Sequence, residues 1–497
     1  MFLRTCIAAA LSTLAFSAHA RLTCADVLKA LSRDLADATC FASTDLTTAN
    51  EQTTPPDNSL PGLPPFAFTP RTDRSVISPN APHRTAITKA VPGLQVQARI
   101  ASDPTGQARF LLRLPGDWNG RLVVAGASGT RSEFNGDFAW SDYVVQKGFA
   151  YASQNKGVLN LQLTTAADPL GCRLNPDLPV FVRFFANDPA QVFTRWTDFM
   201  VKAGELAREG VKAAYGAPPR HVYAVGTSNG GYQVRRAIEV APQLFDGGVD
   251  WEGTFVDEDA PNLLTDLPPA VLNFPDYRAS GFSAASTAAK NIVAAGYPPD
   301  LASDLGAPTT LWNRNWISFW EVTLCQWQKR LDPSYDTYGS GTGTYNYIGR
   351  LPFSEVGANM AAFANSGKLR RPLVTVAGTM DALLPIDHHA RAYARKVAAA
   401  SADQDKGEGR GNDDERDERR STYRLYEVQN GSHIETYRQE SFSPIEFIQP
   451  HAQRAFDLVV QRVERGTALP PSQCIARGAS ISDSPAQPGH CATFFVP

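Results

Sequence analysis

The chain has 497 residues, with 47 Lys and Arg against 50 Asp and Glu, and a formal net charge of −3. That balance, with no basic stripe and no basic amphipathic helix, argues against a nucleic-acid partner and against a membrane surface. No apolar run reaches the roughly 20 residues a membrane helix needs, and the length allows one large domain with an insertion, or two to three domains.

The first element is a short charged start at Arg4, an apolar run from Cys6 to Phe16, and the small-x-small site Ala18-His19-Ala20. This pattern predicts a signal peptide over residues 1–20, with the mature chain secreted or periplasmic. The chain has seven cysteines, and Cys6 would leave with that peptide. Cys24, Cys40, Cys172, Cys325, Cys474 and Cys491 remain, an even set that predicts three disulfides in an exported chain. Spacing favours two local bridges, Cys24–Cys40 and Cys474–Cys491, which leaves Cys172–Cys325 as a long-range tie. No C-x-x-C pair occurs, which argues against zinc and thiol-redox chemistry.

Residues 21–45 read as a short helix tied down by cysteines, and residues 50–85, rich in Pro, Thr, Asn and Ser, as irregular surface chain. Residues 94–100 and 108–114 alternate apolar and polar, which predicts antiparallel strands opening a sheet. The runs at 122–125, 149–152, 222–225 and 373–377 are continuously apolar, as strands buried on both faces of a parallel sheet should be. A helical period runs from Val192 to Tyr215. The whole predicts an α/β chain with a mostly parallel sheet. Residues 256–368 break the alternation and carry Trp312, Trp316, Trp320 and Trp327. They read as a lid inserted between core segments 21–255 and 369–497. Trp312, Trp316 and Trp320 are candidates for the wall of a substrate site, or for the lid's own core. The polar tract 401–420 predicts a mobile surface loop.

The chemistry centres on Gly226-Thr227-Ser228-Asn229-Gly230, a G-x-S-x-G pattern. A strand runs into it and a helix follows, so Ser228 occupies the sharp strand–turn–helix of a nucleophile elbow. A serine hydroxyl needs a positioned base, and in this arrangement acid and then histidine follow in the chain. Asp381 follows the strand at 373–377 and is the candidate acid; Asp387, past Pro385, reads as a helix cap. His433, in the turn Asn430-Gly431-Ser432-His433 after the alternating run Tyr423–Val428, is the candidate base. The backbone N–H of Asn229, with that of Ala127 or Ser128, would form an oxyanion hole. Asp257-Glu258-Asp259 could hold a structural Ca²⁺ through carboxylate oxygens. Its spacing matches no full calcium loop, so a solvated turn is the favoured reading, and neither a cofactor nor a catalytic metal is expected.

With these residues placed, Asp117-Trp118-Asn119-Gly120-Arg121, the segment 213–219, the elbow at 226–231 and Phe245-Asp246-Gly247-Gly248 resemble the tannase and feruloyl esterase group. The segments 126–131 and 228–231 also resemble secreted 3-hydroxybutyrate oligomer hydrolases. The resemblance implies an α/β-hydrolase fold and a secreted carboxylic ester hydrolase with Ser228, Asp381 and His433 as its triad, acting on a small or oligomeric ester. Tannase-type chains typically carry a disulfide between the residues before the serine and before the histidine. Here those positions are Thr227 and Ser432, so other contacts must join the two loops. A serine amidase or peptidase, or a non-catalytic binding protein on the same scaffold, are the rival readings. The sequence carries no signal of oligomeric state.

Overall fold

The computed structural model describes residues 23–497 apart from 57–68, 76, 82, 130–131, 159–161, 165–169, 171, 173–179, 183–192, 194, 336–344 and 409–421. The expected signal peptide over 1–20 lies outside the described residues. Among the described residues there are twelve strands: β1 Leu35–Ser43, β2 Gly93–Ile100, β3 Arg109–Pro115, β4 Arg121–Gly126, β5 Ala150–Gln154, β6 Gln162–Thr164, β7 Val180–Val182, β8 His221–Thr227, β9 Gly247–Trp251, β10 Leu373–Gly378, β11 Tyr423–Val428 and β12 Gln473–Ile475.

Ten of them form one sheet in the order β1-β2-β3-β5-β4-β8-β9-β10-β11-β12, and β6 pairs with β7 apart from it. The pairs β1–β2, β2–β3 and β3–β5 are antiparallel. From β5 through β12 every pairing is parallel. The parallel strands are buried on both faces and mostly apolar because alternate residues feed two cores. Leu122 and Val124 of β4 face a cluster built with Met200, Leu206 and Val211 of the Arg195–Tyr215 helix. Val123 and Ala125 face one built with Ala452, Phe456 and Val459 of the Gln449–Arg465 helix. At about 25 cal/mol per Å² of buried apolar surface, these two layers supply the main stabilisation of the sheet.

A third cluster lies elsewhere. The helices Leu263–Ala279, Thr287–Ala294, Leu311–Asn315, Glu321–Leu331 and Val356–Ala361, with a wide turn at Trp316–Trp320, pack around Trp312, Trp320, Trp327, Phe274 and Tyr297. Their helical signal is weak in sequence because the first helix contains Pro268, Pro269 and Pro275 and the rest are short. The cysteines pair as Cys24–Cys40, Cys172–Cys325 and Cys474–Cys491, the pairing that spacing favoured. The second of these ties the Glu321–Leu331 helix to residue 172 across 153 positions of chain.

Two local readings change. Residues 21–45 are a helix over Cys24–Leu31 followed by strand β1, not a helix alone. Residues 35–43 pair with β2 along the sheet edge, and the Cys24–Cys40 bridge joins the helix to that strand. The Ala390–Glu408 helix runs into the polar tract expected to be a loop. Residues 398–406 are mostly Ala, Asp, Gln and Lys, and Ala, Gln and Lys are strong helix formers. The rest of the tract lies outside the described residues.

Candidate active site

At the carboxyl edge of the sheet, neighbouring strands each deliver one polar residue. β8 leads into Ser228, which begins the Asn229–Val240 helix with φ 60° and ψ −126°. A non-glycine residue held at positive φ stores on the order of 1–3 kcal/mol of strain. Glycine makes the turn possible. A Cβ on Gly226 would lie 2.3 Å from the Gly230 carbonyl oxygen, and one on Gly126 would lie 2.5 Å from the same atom. The strain is held by backbone hydrogen bonds on either side. Ser228 N–H donates to the Trp251 carbonyl (2.9 Å), and the Ser228 carbonyl accepts from Tyr232 N–H (3.1 Å).

β10 leads through Gly378 and Thr379 to Asp381. One carboxylate oxygen of Asp381 accepts from the Leu383 and Leu384 amides at 2.8 and 2.7 Å. The other accepts from His433 Nδ1 at 2.7 Å. That bond leaves Nε2 as the nitrogen available for proton transfer. Asp381 and His433 are 1 % and 3 % exposed, so their pairing is screened from water. Asp387 instead forms an ion pair with Arg391 at 3.0 Å and is part-exposed.

The loops of the acid and the histidine are joined through backbone contacts. A Cβ on Gly378 would fall 2.3 Å from the Gly431 carbonyl oxygen, so backbone packs on backbone. Met380 N–H donates to that carbonyl (2.8 Å), and Asn430 N–H donates to Thr379 Oγ1 (3.0 Å). Asn430 sits at φ 63°. Its side chain exchanges two hydrogen bonds with the Val496 backbone, at 2.6 and 2.8 Å, and Thr379 Oγ1 donates to the Phe494 carbonyl. Residues 494–496 thus lace the two loops.

One acidic residue of this site was not found in the sequence. Glu252 follows β9 directly and lies at φ 53°. Its carboxyl accepts from Gly378 N–H (3.0 Å) and Trp251 Nε1–H (3.1 Å). One of its oxygens is 3.6 Å from His433 Nδ1. Burial first, and the Asp381 charge second, push Glu252 well above the usual carboxylate range. One donor atom each of Glu252, Asp381 and His433 lies within 4.8 Å of the others, a spacing that could surround a cation. Here Asp381 and His433 bond each other, and Glu252 accepts from Gly378 N–H and Trp251 Nε1–H. The only sequence signal for Glu252 is its place at the end of β9, itself hidden by Gly247, Gly248 and Asp250.

The expected oxyanion donors are arranged unequally. Asn229 is the first residue of its helix, where an N–H has no partner within the helix, and its side chain accepts from Thr254 Oγ1 (2.8 Å). Ala127 N–H donates to Gln233 Oε1 (3.2 Å) and Ser128 N–H to Asn135 Oδ1 (3.2 Å). Both loop amides therefore have acceptors within the protein.

The tryptophans expected to line a substrate site are mostly interior. Trp312 and Trp320 are 1 % and 0 % exposed, and their Nε1–H groups donate to the Pro298 and Ala382 carbonyls at 3.1 and 2.8 Å. Trp316 is half-buried and stacks on Phe274 at 4.8 Å. Trp312 and Trp320 are thus core of the helical segment, with no face open to a ligand. Ala382, Leu383 and Leu384, next to Asp381, belong to the same cluster, so the segment packs directly on the acid loop. In the Asp257-Glu258-Asp259 turn, Lys396 Nζ meets Asp257 at 2.8 Å and Asp259 N–H donates to Asp257 at 3.1 Å. A lysine thus already neutralises the carboxylate considered for Ca²⁺.

Comparison with known proteins adds two findings. Residues 350–489, which contain Asp381 and His433, match the 3HB-oligomer hydrolase family. A D-(-)-3-hydroxybutyrate oligomer hydrolase of Burkholderia thailandensis is 32 % identical over 123 residues, covering 24 % of this chain and 15 % of that protein. One from Burkholderia mallei is 30 % identical over the same length. The matched stretch thus spans about 15 % of the length of these relatives. Among solved structures, feruloyl esterase B from Aspergillus oryzae superimposes with a TM-score of 0.52 at 13 % identity over 88 % of each chain. The chain folds as an α/β hydrolase, and through residues 350–489 it is similar to the 3HB-oligomer hydrolases.

Proposed function

We propose that this protein is a serine carboxylic ester hydrolase that works through Ser228, His433 and Asp381 and a covalent acyl-enzyme. The observation that carries the reading is the pairing of a strained Ser228 at the end of β8 with a buried His433–Asp381 hydrogen bond of 2.7 Å beyond β10 and β11. His433 Nε2 takes the Ser228 hydroxyl proton as Oγ attacks the ester carbonyl carbon. The alcohol leaves with that proton. Water then attacks the acyl-enzyme, giving its proton to Nε2, and the serine is regenerated with release of the acid. Asp381 holds the imidazole and balances its charged form. The Asn229 amide is one oxyanion donor. The Ala127 or Ser128 amide is the second, and the developing oxyanion must replace Gln233 or Asn135 as its acceptor.

In this reading the substrate is a small or oligomeric ester, of the 3-hydroxybutyrate-oligomer or aromatic-ester type. The first is supported by the similarity through residues 350–489, the second by the residues that resemble the tannase and feruloyl esterase group. Residues 256–368 act as a lid over core segments 21–255 and 369–497, and residues 1–20 export the chain. Three disulfides are consistent with an oxidising compartment. A fluorophosphonate probe tests the mechanism: the wild type is labelled and Ser228→Ala is not. Labelling that survives the substitution removes Ser228 from its role. A hydrolysis screen over hydroxybutyrate oligomers, feruloyl esters and gallate esters, with an anilide as counter-substrate, assigns the class. Faster anilide turnover would overturn the esterase reading in favour of an amidase.

A further inference from the structure

We propose that Glu252 is a positioning residue for His433, a second acid that rests protonated beside Asp381 and takes over the imidazole when Asp381 is lost; this rests on the triad reading above. The geometry carries it. β9 lies between β8 and β10 in the sheet, so the residue after β9 emerges between the nucleophile and the acid. Glu252 occupies that position in a left-handed conformation. Its backbone N–H donates to the Val376 carbonyl (2.9 Å), and its side chain is clamped by Gly378 N–H and Trp251 Nε1–H. This construction aims one carboxyl oxygen at His433 Nδ1, 3.6 Å away, where Asp381 already stands at 2.7 Å.

Two buried carboxyls against one imidazole cannot both ionise cheaply. The charged groups facing Glu252 are Asp381 and, farther off, Glu435; both disfavour its ionised form, as does burial. Asp381 has the two backbone amides at Leu383 and Leu384 to hold its charge, whereas Glu252 has one amide and an indole. The proton therefore stays on Glu252. The cluster then presents one negative charge to an imidazolium that carries one positive charge. Without Asp381 that repulsion is removed, burial and Glu435 still oppose the charged form, and the Glu252 oxygen 3.6 Å from Nδ1 is the acceptor left for Nδ1–H, ionising as the imidazole takes up its proton.

The test is a double-mutant cycle on wild type, Glu252→Gln, Asp381→Ala and the double variant, with p-nitrophenyl butyrate as probe and kcat/KM measured from about pH 5 to about pH 9. Glu252→Gln alone should cost about two- to threefold, because glutamine copies the neutral acid. In the Asp381→Ala background the same change should cost about tenfold or more. The wild-type profile should also carry an ionisation above the usual carboxylate range that Glu252→Gln removes. A residue that only braced Gly378 and Trp251 would give equal factors in both backgrounds and no change in the profile, and that result overturns the proposal. If Asp381→Ala does not fold, the two remaining profiles decide alone: identical shapes overturn it. Failure of fluorophosphonate to label the wild type sinks the hydrolase reading together with this one. Labelling that depends on Ser228, combined with equal factors, sinks only the role of Glu252.

Discussion

At the carboxyl edge of β8 to β11 backbone touches backbone; between Leu263 and Phe363 side chain touches side chain. Gly126, Gly226 and Gly230 meet in the first region with no room for a methyl group, as do Gly378 and Gly431. Trp312, Trp320, Trp327 and Phe274 fill the second. A backbone contact fixes position closely and tolerates no substitution. An aromatic cluster can be rebuilt from other rings of similar volume. The site is therefore placed by the rigid region, while the helical segment is free to vary in sequence.

Substitutions should expose that difference, beginning with the most damaging. Gly226→Ala puts a methyl group 2.3 Å from a backbone oxygen. It should destabilise the fold by about 4–5 kcal/mol or more, read as a collapse of the urea midpoint; a midpoint within error of wild type would show that the elbow is not close-packed. Cys172→Ser opens a bridge spanning 153 positions and should cost about 3–5 kcal/mol. Limited proteolysis should then cut first between residues 263 and 363, and initial cutting within the sheet would contradict the division.

Glu435 gives a pH-dependent contrast within the rigid region. Its carboxyl accepts from the Ile448 and Gln449 amides, yet burial pushes it up to about 8. Below the ordinary glutamate range the folded and unfolded chains are both protonated there. As pH rises toward 8 only the unfolded chain gives up the proton, so stability falls, and the loss is complete above 8. Glu435→Gln should flatten that decline and gain on the order of 2–4 kcal/mol at pH 8, measured by thermal melts across the range. Parallel curves for the two proteins would rule the effect out. Trp320→Phe should have the smallest effect. It keeps a ring but removes the donor to the Ala382 carbonyl, for a loss of about 1–2 kcal/mol. Because Ala382 adjoins Asp381, ester turnover should fall more steeply than stability does; an unchanged turnover would uncouple the helical segment from the acid loop.

The same contrast explains what could be read in advance. Strands β4, β8 and β10 carry the apolar runs 122–125, 222–225 and 373–377 of strands buried on both faces, β11 alternates over Tyr423–Val428, and Ser228, Asp381 and His433 follow β8, β10 and β11 in order. β9 escaped because its sequence, Gly-Gly-Val-Asp-Trp, lacks that signature. Asp250 can be buried because Arg235 (2.6 Å), Thr375 Oγ1 (2.7 Å) and Gly253 N–H (2.7 Å) all meet its carboxylate, and a Cβ on Gly248 would meet Val234 and the Ala224 carbonyl at 2.9 and 3.0 Å. Both reasons lie in tertiary structure, and with β9 went Glu252. The Trp312 and Trp320 indoles were open to two readings because composition does not say which way a ring faces. Prolines inside the Leu263–Ala279 helix hid its period.

The lacing of Asn430 and Thr379 by residues 494–496 also sets a schedule. A chain synthesised from its amino end displays Ser228 more than 260 positions before that clasp arrives. Throughout that interval the acid and histidine loops lack the contacts that hold them in register. In the proposed reading, the geometry that joins Asp381 to His433 is therefore complete only after residues 494–496 have packed on these loops.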